Sequence, residues 1–156
     1  MKSLPLPMAL TELISRNSAI LTTYREWARR LTPGPVSRLA SSIVEQRFEL
    51  GKALGEAASE LSASALPRLE VEFEVEPSPA ALIDGKLASP EPMTEPKILL
   101  SAMTELEAAD HELLAAVAGA ALPFSSVIAE RLAGEAESAR KRSSWAQNHL
   151  DLLSMG

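Results

Sequence analysis

The sequence predicts an all-α fold, a four-helix bundle made of two antiparallel helical hairpins that a long crossover joins between helices 2 and 3. Four long segments repeat apolar residues every three or four positions, which is the spacing of one face of a helix. Hydrophobic residues make up 46% of the 156 residues but aromatic residues only 4%, so Leu, Ala, Val and Ile must form most of the core. This length predicts a single domain that covers residues 1–156.

The acidic composition argues against several kinds of partner and site. Fifteen basic against twenty-one acidic residues give a net charge of −6, so neither nucleic acid nor an anionic membrane is an expected partner. The lack of cysteine excludes disulfides, thiolate metal ligands and a cysteine nucleophile. Pro5 and Pro7 break the apolar run at the N-terminus, and no stretch of about 18 apolar residues follows. We therefore expect a cytoplasmic protein without a signal peptide or a transmembrane helix.

The first hairpin is predicted to pair a helix over about residues 8–31 with a helix over about residues 36–61. The turn at 32–35 contains two prolines and a glycine, which cannot continue a helical hydrogen-bond ladder, and a turn this short implies antiparallel neighbours. In the second helix, Gln46 or Arg47 falls where the apolar stripe should continue. The predicted inner residues are Leu10, Leu13, Ile14, Leu21, Tyr24, Ala28 and Leu31, with Asn17 on the same face, and Val36, Leu39, Ile43, Leu50, Leu54, Ala57 and Leu61.

The crossover of about residues 66–94 has a different pattern. Residues 69–76 alternate apolar and acidic side chains, which is typical of a strand with one covered face. Asp84 and Gly85 lie between two short apolar runs and suit a tight turn, so a short β-hairpin arm is predicted over residues 81–88. Because an isolated hairpin is marginal in water, we expect this arm either on the bundle surface or against the same arm of a second subunit.

The second hairpin is predicted over about residues 95–122 and 125–153. Pro123 ends the first of these helices, and Ser125 is a candidate N-cap for the next. The stripe of the fourth helix is polar at its centre, where Glu135 and Arg142 interrupt it. The predicted inner residues are Leu99, Met103, Leu106, Leu113 and Val117, with Asp110 on or beside that stripe, and Ile128, Leu132, Glu135, Ala139, Arg142, Ala146 and Leu153.

With this layout and three local motifs, the chain resembles the bacterial ferritin-like domains of the rubrerythrin and bacterioferritin superfamily, in particular an uncharacterised, stress-associated branch. The motifs are residues 9–14 followed by Tyr24, Glu45-Gln46-Arg47, and Glu107-Ala-Ala-Asp110. The resemblance spans most of the chain. It implies a di-metal site in the bundle core, to which helices 1 and 3 each supply a glutamate and helices 2 and 4 each supply a Glu-x-x-His pair.

The ligand motifs implied by this resemblance are incomplete. Glu45 is followed three residues later by Phe48 instead of histidine, and Glu135 is followed by Ser138. The third helix retains a shorter carboxylate, Asp110. At the matching level helix 1 offers Asn17, Thr22 or Thr23, and helix 4 offers Glu137 followed by Arg140 as a second arrangement.

The two histidines do not complete the site. His149 is about four helical turns from Glu135, and His111 points about 100° around the helix from Asp110. We therefore expect no metal and no other cofactor. Were iron or manganese to bind, the reduced ligand set would be Glu45, Asp110 and Glu135.

Arg47 is the residue that distinguishes two interpretations of the bundle centre. In one, it reaches inward and is held by Glu135 or Asp110, so that a guanidinium supplies the positive charge that a metal would have supplied. In the other, it lies at the edge of the stripe and extends to water. The first interpretation predicts a core polar cluster of Asn17, Tyr24, Arg47, Asp110 and Glu135.

Three functions remain open at this point. The favoured one is non-enzymatic: a ferritin-like bundle with a degenerate di-metal site that serves as a structural or interaction module. It would form a homo-oligomer, with a dimer as the preferred form. The alternative is a metal-dependent oxidase or peroxidase, or an iron-handling protein, with iron or manganese on the reduced carboxylate set. The third is the binding of a small ligand in a polar pocket of the bundle core.

Overall fold

The computed structural model describes residues 2–63, 70–73 and 96–155, and this part of the chain contains four long helices and two short strands. The all-α class and the four predicted helices are confirmed, and each helix limit lies within two residues of its expected position. The helices are α1 (Leu6–Arg30), α2 (Pro35–Ala63), α3 (Pro96–Ala121) and α4 (Ser126–Met155). The strands are β1 (Lys2–Pro5) and β2 (Glu70–Phe73).

The helix starts follow from local chemistry. α1 begins two residues before the predicted start, because Pro7 falls in the first turn, where its missing backbone N–H has no hydrogen bond to make. Ser125 acts as the N-cap of α4, since its Oγ accepts a hydrogen bond from the backbone N–H of Ile128 at 3.2 Å. The N-cap prediction is therefore confirmed.

The two strands form a small antiparallel ladder in which Lys2 faces Phe73 and Pro5 faces Glu70. β2 lies inside the segment predicted as a strand, but its partner is the N-terminal segment, for which the sequence predicted no strand. β2 contacts both α1 and α3, so the ladder lies on that side of the bundle. The hairpin predicted over residues 81–88 lies outside the described residues.

The helices pack as two hairpins, α1 with α2 and α3 with α4, and the hairpins meet where α1 contacts α3 and α2 contacts α4. Their buried side chains form two separate apolar clusters. The first apolar cluster is Leu6, Ala9, Leu10, Leu13, Leu50, Leu54, Ala57, Leu61, Leu113, Leu114, Val117, Ala118, Ala121, Ile128, Ala129, Leu132, Ala136 and Ala139. The second apolar cluster is Ile20, Tyr24, Trp27, Ala40, Ile43, Leu99, Leu100, Ala102, Met103, Leu106 and Ala146.

The order in which each helix enters these clusters gives its direction. α1 and α4 run from the first apolar cluster to the second, whereas α2 and α3 run from the second to the first. α2 and α3 are therefore parallel, and the connection between them joins opposite ends of the bundle. None of the described helices is both long enough and apolar enough to cross a membrane.

Candidate functional site

A layer of buried polar side chains separates the two apolar clusters. Every helix contributes to it at the point where the helix passes from one cluster to the other. Arg47, Glu107 and Arg142 are each 0% exposed, which is rare for charged residues unless they are paired. We call this set the central polar layer: Arg16 and Asn17 from α1, Arg47 from α2, Glu107 and Asp110 from α3, and Arg142 from α4.

Arg47 lies at the middle of the layer and uses all three guanidinium nitrogens. Its Nε donates to Oε1 of Glu107 at 3.2 Å, and its Nη2 donates to Oε2 of the same carboxylate. Nη2 also lies 2.6 Å from Oδ2 of Asp110, and Nη1 donates to Oδ1 of Asn17 at 2.8 Å. Arg47 thus forms the planar, two-pronged contact with a carboxylate that a guanidinium favours, and it links three helices.

Two further arginines bind the same carboxylates from the other sides. Nε of Arg142 donates to Oε1 of Glu107 at 2.8 Å, and Nε of Arg16 donates to Oδ1 of Asp110 at 2.6 Å. Three guanidinium groups therefore meet two carboxylates, which leaves one positive charge in excess within the layer. Both Nη atoms of Arg16 and the Nη2 atom of Arg142 are buried without a hydrogen-bond partner in the described part of the chain.

Asp110 and Arg47 hold each other in the ionised form. Burial by itself would raise the pKa of Asp110, but the guanidinium groups of Arg47 and Arg16 lower that pKa below its ordinary value. Burial by itself would lower the pKa of Arg47, but Asp110 and Glu107 raise it above its ordinary value. Asp110 and Arg47 are therefore both charged at neutral pH.

α1 supports Arg47 with an aromatic ring and an amide. The Cζ atom of Arg47 lies 5.4 Å from the centre of the Tyr24 ring, within the range of a cation–π contact. Burial, and then the charge of Glu107, raise the pKa of Tyr24 well above its ordinary value, so its hydroxyl stays protonated. Nδ2 of Asn17 donates to the backbone oxygen of Arg47 at 3.0 Å. Gly51 makes room for this amide, because a Cβ atom there would lie only 3.2 Å from Nδ2.

Four of the five residues predicted for the core polar cluster lie together: Asn17, Tyr24, Arg47 and Asp110. The interpretation in which Arg47 extends to water is wrong, since this residue is 0% exposed. Glu135 is the exception. It lies seven residues before Arg142 on α4, roughly 10 Å along the helix, so it is two turns away from the layer. Glu135 is half-buried, and no hydrogen bond or ion pair joins it to Arg47.

The residues that the sequence analysis missed are Glu107 and Arg16, and the role of Arg142 was not assigned. Glu107 takes the place predicted for Glu135 as a partner of Arg47. A spacing signal for it exists: Met103, Glu107 and Asp110 continue one inner face at intervals of four and three residues. Arg142 was predicted to lie on the inner stripe of α4, but no partner was predicted for it. No comparable signal marks Arg16.

The reduced carboxylate set for a metal does not converge. Glu45 is exposed on α2, because it lies about 200° around the helix from Arg47. Asp110 is in the central layer, while Glu135 is two turns away. Within residues 2–63, 70–73 and 96–155, no three His, Cys, Asp or Glu side chains come close enough to hold a metal ion together. His111 and His149 are half-buried, and their Nδ1 atoms contact backbone oxygens of Ala136 and Trp145.

A groove with a volume of about 840 Å³ opens along the seam between α2 and α4. We call it the α2–α4 groove. It lies where the hairpins meet on the side away from the α1–α3 contact. Its lining residues are Arg25, Val44, Glu45, Gln46, Phe48, Glu49, Glu135, Ser138, Lys141, Arg142 and Trp145. Arg142, which is 0% exposed, belongs to both the lining of the groove and the central polar layer, so the buried layer lies directly behind the inner wall of the groove.

Comparison of this chain with models of protein families, with curated proteins and with solved structures found no match. The resemblance to ferritin-like domains therefore stays an expectation drawn from the sequence.

Proposed function

We propose that this chain is a non-enzymatic, ferritin-like bundle in which guanidinium groups take the place of a di-metal centre, and that it serves as a structural or interaction module. The observation that carries the proposal is the position of Arg47 between Glu107 and Asp110, where its Nη2 contacts both carboxylates. A di-metal centre consists of cations that carboxylates bind in the bundle core. In this chain the guanidinium group of a side chain supplies the cation.

The directions of the helices support a ferritin-like arrangement. In a simple up-down-up-down bundle consecutive helices alternate in direction, whereas α2 and α3 are parallel. The contacts of α1 with α3 and of α2 with α4 also support the proposal, since they are those expected when α2 and α3 lie on a diagonal of the bundle. One long crossover between the second and third helices is the connection that such an arrangement needs.

The chemistry of the layer argues against redox or hydrolytic work at this place. Both oxygens of Glu107 and both oxygens of Asp110 already accept hydrogen bonds or ion pairs from arginines. A guanidinium cannot change its oxidation state, and its charge stays fixed across the physiological pH range. A metal would have to displace Arg47 and also tolerate the positive charges of Arg16 and Arg142.

The test is metal analysis of protein produced in medium with added iron and manganese. We expect less than one metal ion per chain, and we expect the melting temperature to stay unchanged when either ion is added, because a ligand that binds the folded state raises it. A folded variant with Arg47→Ser and Arg142→Ser serves as a comparison in which Glu107 loses both of its arginines and Asp110 keeps only Arg16. Stoichiometric metal in the unmodified protein would refute the proposal.

The proposal includes a homo-oligomer, preferably a dimer. In the described residues, large apolar side chains remain exposed near the α3–α4 turn, where Leu122 is 60% and Val127 67% exposed. Light scattering should give the mass of a dimer. A chain in which a polar linker of equal length replaces residues 77–92 tests whether that segment mediates the contact, and an unchanged mass would count against it.

A further inference from the structure

The α2–α4 groove has aromatic walls that are unusual for an exposed surface. Phe48 from α2 is 47% exposed, and Trp145 from α4 is 38% exposed. Both side chains line the groove. The Phe48 ring is held by cations, since Cζ of Arg25 lies 5.8 Å and Nζ of Lys52 lies 5.0 Å from its centre. Two exposed aromatic rings facing one groove from two helices provide an apolar site for a ring-shaped molecule.

The inner wall of the groove contains an arginine with unused donors. Arg142 is 0% exposed, and its Nε is bound to Glu107. Its Nη1 reaches Oε1 of Gln46 only at 3.4 Å, which is long for a hydrogen bond, and its Nη2 has no partner among the described residues. A buried guanidinium normally has its donors satisfied. Gln46 also lines the groove, so the side chain that contacts Nη1 of Arg142 is itself at the groove surface.

The charge of the central polar layer favours an anion at this position. The layer carries one positive charge in excess, and the Nη2 group of Arg142, which has no partner among the described residues, is part of it. A carboxylate matches the planar fork of two Nη atoms. If the Gln46 side chain turns away, one carboxylate can accept from both Nη atoms and compensate the excess charge.

We propose that the α2–α4 groove binds a small organic carboxylate with an aromatic body, whose carboxylate pairs with Arg142 and whose ring packs between Phe48 and Trp145. This inference rests on the proposed function and deepens it, since it gives the interaction module a ligand class. Glu45, Glu49 and Glu135 line the same groove and carry the same charge as the ligand, whereas Arg25 and Lys141 carry the opposite charge. Glu135 also interacts electrostatically with Arg142, so it weakens binding and selects against molecules with more than one carboxylate.

The test uses 2-naphthylacetate as the probe, with its neutral amide and 2-(2-naphthyl)ethylamine as matched compounds. Two-dimensional NMR follows the indole N–H signals of the two tryptophans. We expect the signal of Trp145 to shift on addition of naphthylacetate, while the signal of Trp27, which is 3% exposed in the second apolar cluster, stays in place. Calorimetry should show naphthylacetate binding about tenfold tighter than its amide. Equal affinity for acid and amide, or no shift of the Trp145 signal, would overturn the inference.

Variants on the groove surface test the geometry without disturbing the buried layer. Trp145→Ala should weaken binding of naphthylacetate about tenfold, and Glu135→Gln should tighten it severalfold by removing a like charge. Leu152→Ala is the matched control, because Leu152 lies on the same helix, is 66% exposed and does not line the groove. If Leu152→Ala weakened binding as much as Trp145→Ala does, the assigned site would be wrong.

The two proposals fail in different ways. Stoichiometric metal would refute the proposed function even if naphthylacetate binds. A metal-free chain that ignores naphthylacetate would refute the groove assignment and leave the proposed function standing.

Discussion

Arg47 and Arg142 donate hydrogen bonds to the same atom, Oε1 of Glu107, from 3.2 Å and 2.8 Å respectively. The two arginines come from α2 and α4, which belong to different hairpins, and the carboxylate comes from α3. One buried oxygen therefore connects three helices. The shared carboxylate keeps each arginine from being an isolated buried charge, and the carboxylate would itself be strongly unfavourable without a cation.

Removing Arg47 should destabilise the protein strongly. We expect Arg47→Met to lower the free energy of unfolding by about 3–5 kcal/mol, since Glu107 and Asp110 would lose their central cation while staying buried. Arg47→Lys should cost less, because a lysine keeps the charge but cannot make the two-pronged contact. Urea denaturation measures both values.

The control for Arg47 is an exposed ion pair of similar length. Arg131 lies 2.6 Å from Glu56, and its side chain is 42% exposed. Arg131→Met should change the free energy of unfolding by less than about 1 kcal/mol. Comparable losses for Arg47→Met and Arg131→Met would show that burial of the central layer has no energetic consequence.

Two glycines of α2 should respond in opposite ways to alanine. Gly55 has open space around an added Cβ atom, so Gly55→Ala should raise the free energy of unfolding by about 0.5–1 kcal/mol through helix propensity. At Gly51 the added Cβ atom would lie 3.2 Å from Nδ2 of Asn17, which is fixed by its hydrogen bonds to Arg47. We expect Gly51→Ala to lose that gain and to destabilise the protein. Equal stabilisation by both changes would mean that Asn17 is not held in place.

Asp110 should contribute to the decrease in the free energy of unfolding at acidic pH. Its pKa in the folded protein is lowered by Arg47 and Arg16, so its contribution is fully present above the unfolded pKa of about 3.9 and is lost as the pH falls through the folded value. Asp110→Asn should therefore be less stable than the unmodified protein at pH 7, and the two stability curves should begin to converge below about pH 4 as the pH falls towards the folded pKa of Asp110. Parallel curves over this range would contradict the assignment.

The hydroxyl of Tyr24 should be dispensable. This oxygen is buried, and it has no hydrogen-bond partner within the part of the chain that the structure describes. Tyr24→Phe keeps the ring beneath Arg47 and removes an unsatisfied polar group, so we expect stability to be unchanged or to rise by about 1 kcal/mol. Tyr24→Leu, which removes the ring, should destabilise the protein. A large loss in Tyr24→Phe would show that the hydroxyl has an essential partner.

The helices could be predicted from the sequence because each carries a regular apolar stripe between clear stop signals. The Pro-rich turn at 32–35 and Pro123 fixed the ends of three helices to within two residues. The strand pair could be predicted only on one side. The alternating pattern indicated β2, but Pro5 argued against a strand at β1. The pairing of β1 is a tertiary contact with a segment some 65 residues away in the chain.

The sequence indicated that a buried polar layer exists, but it did not indicate which arginine pairs with which carboxylate. An arginine on an apolar stripe needs a carboxylate, and Asp110 was available on the stripe of α3. The choice between Glu107 and Glu135 depended on the relative height of α2, α3 and α4, which no single-helix pattern contains. Arg16 reaches Asp110 from the flank of the apolar face of α1, so the spacing of the apolar residues does not indicate it.

The central polar layer also has a consequence for how the two hairpins find each other during folding. Asn17 and Arg47 lie within the first hairpin, and Glu107 and Arg142 within the second, so each half can form its own polar contact before the halves associate. A slip of one helical turn, about 5.4 Å, would place these charges against leucine and alanine. We therefore expect the layer to disfavour association of the hairpins in a shifted register. The same layer should make the folded protein less stable than a bundle with an all-apolar core.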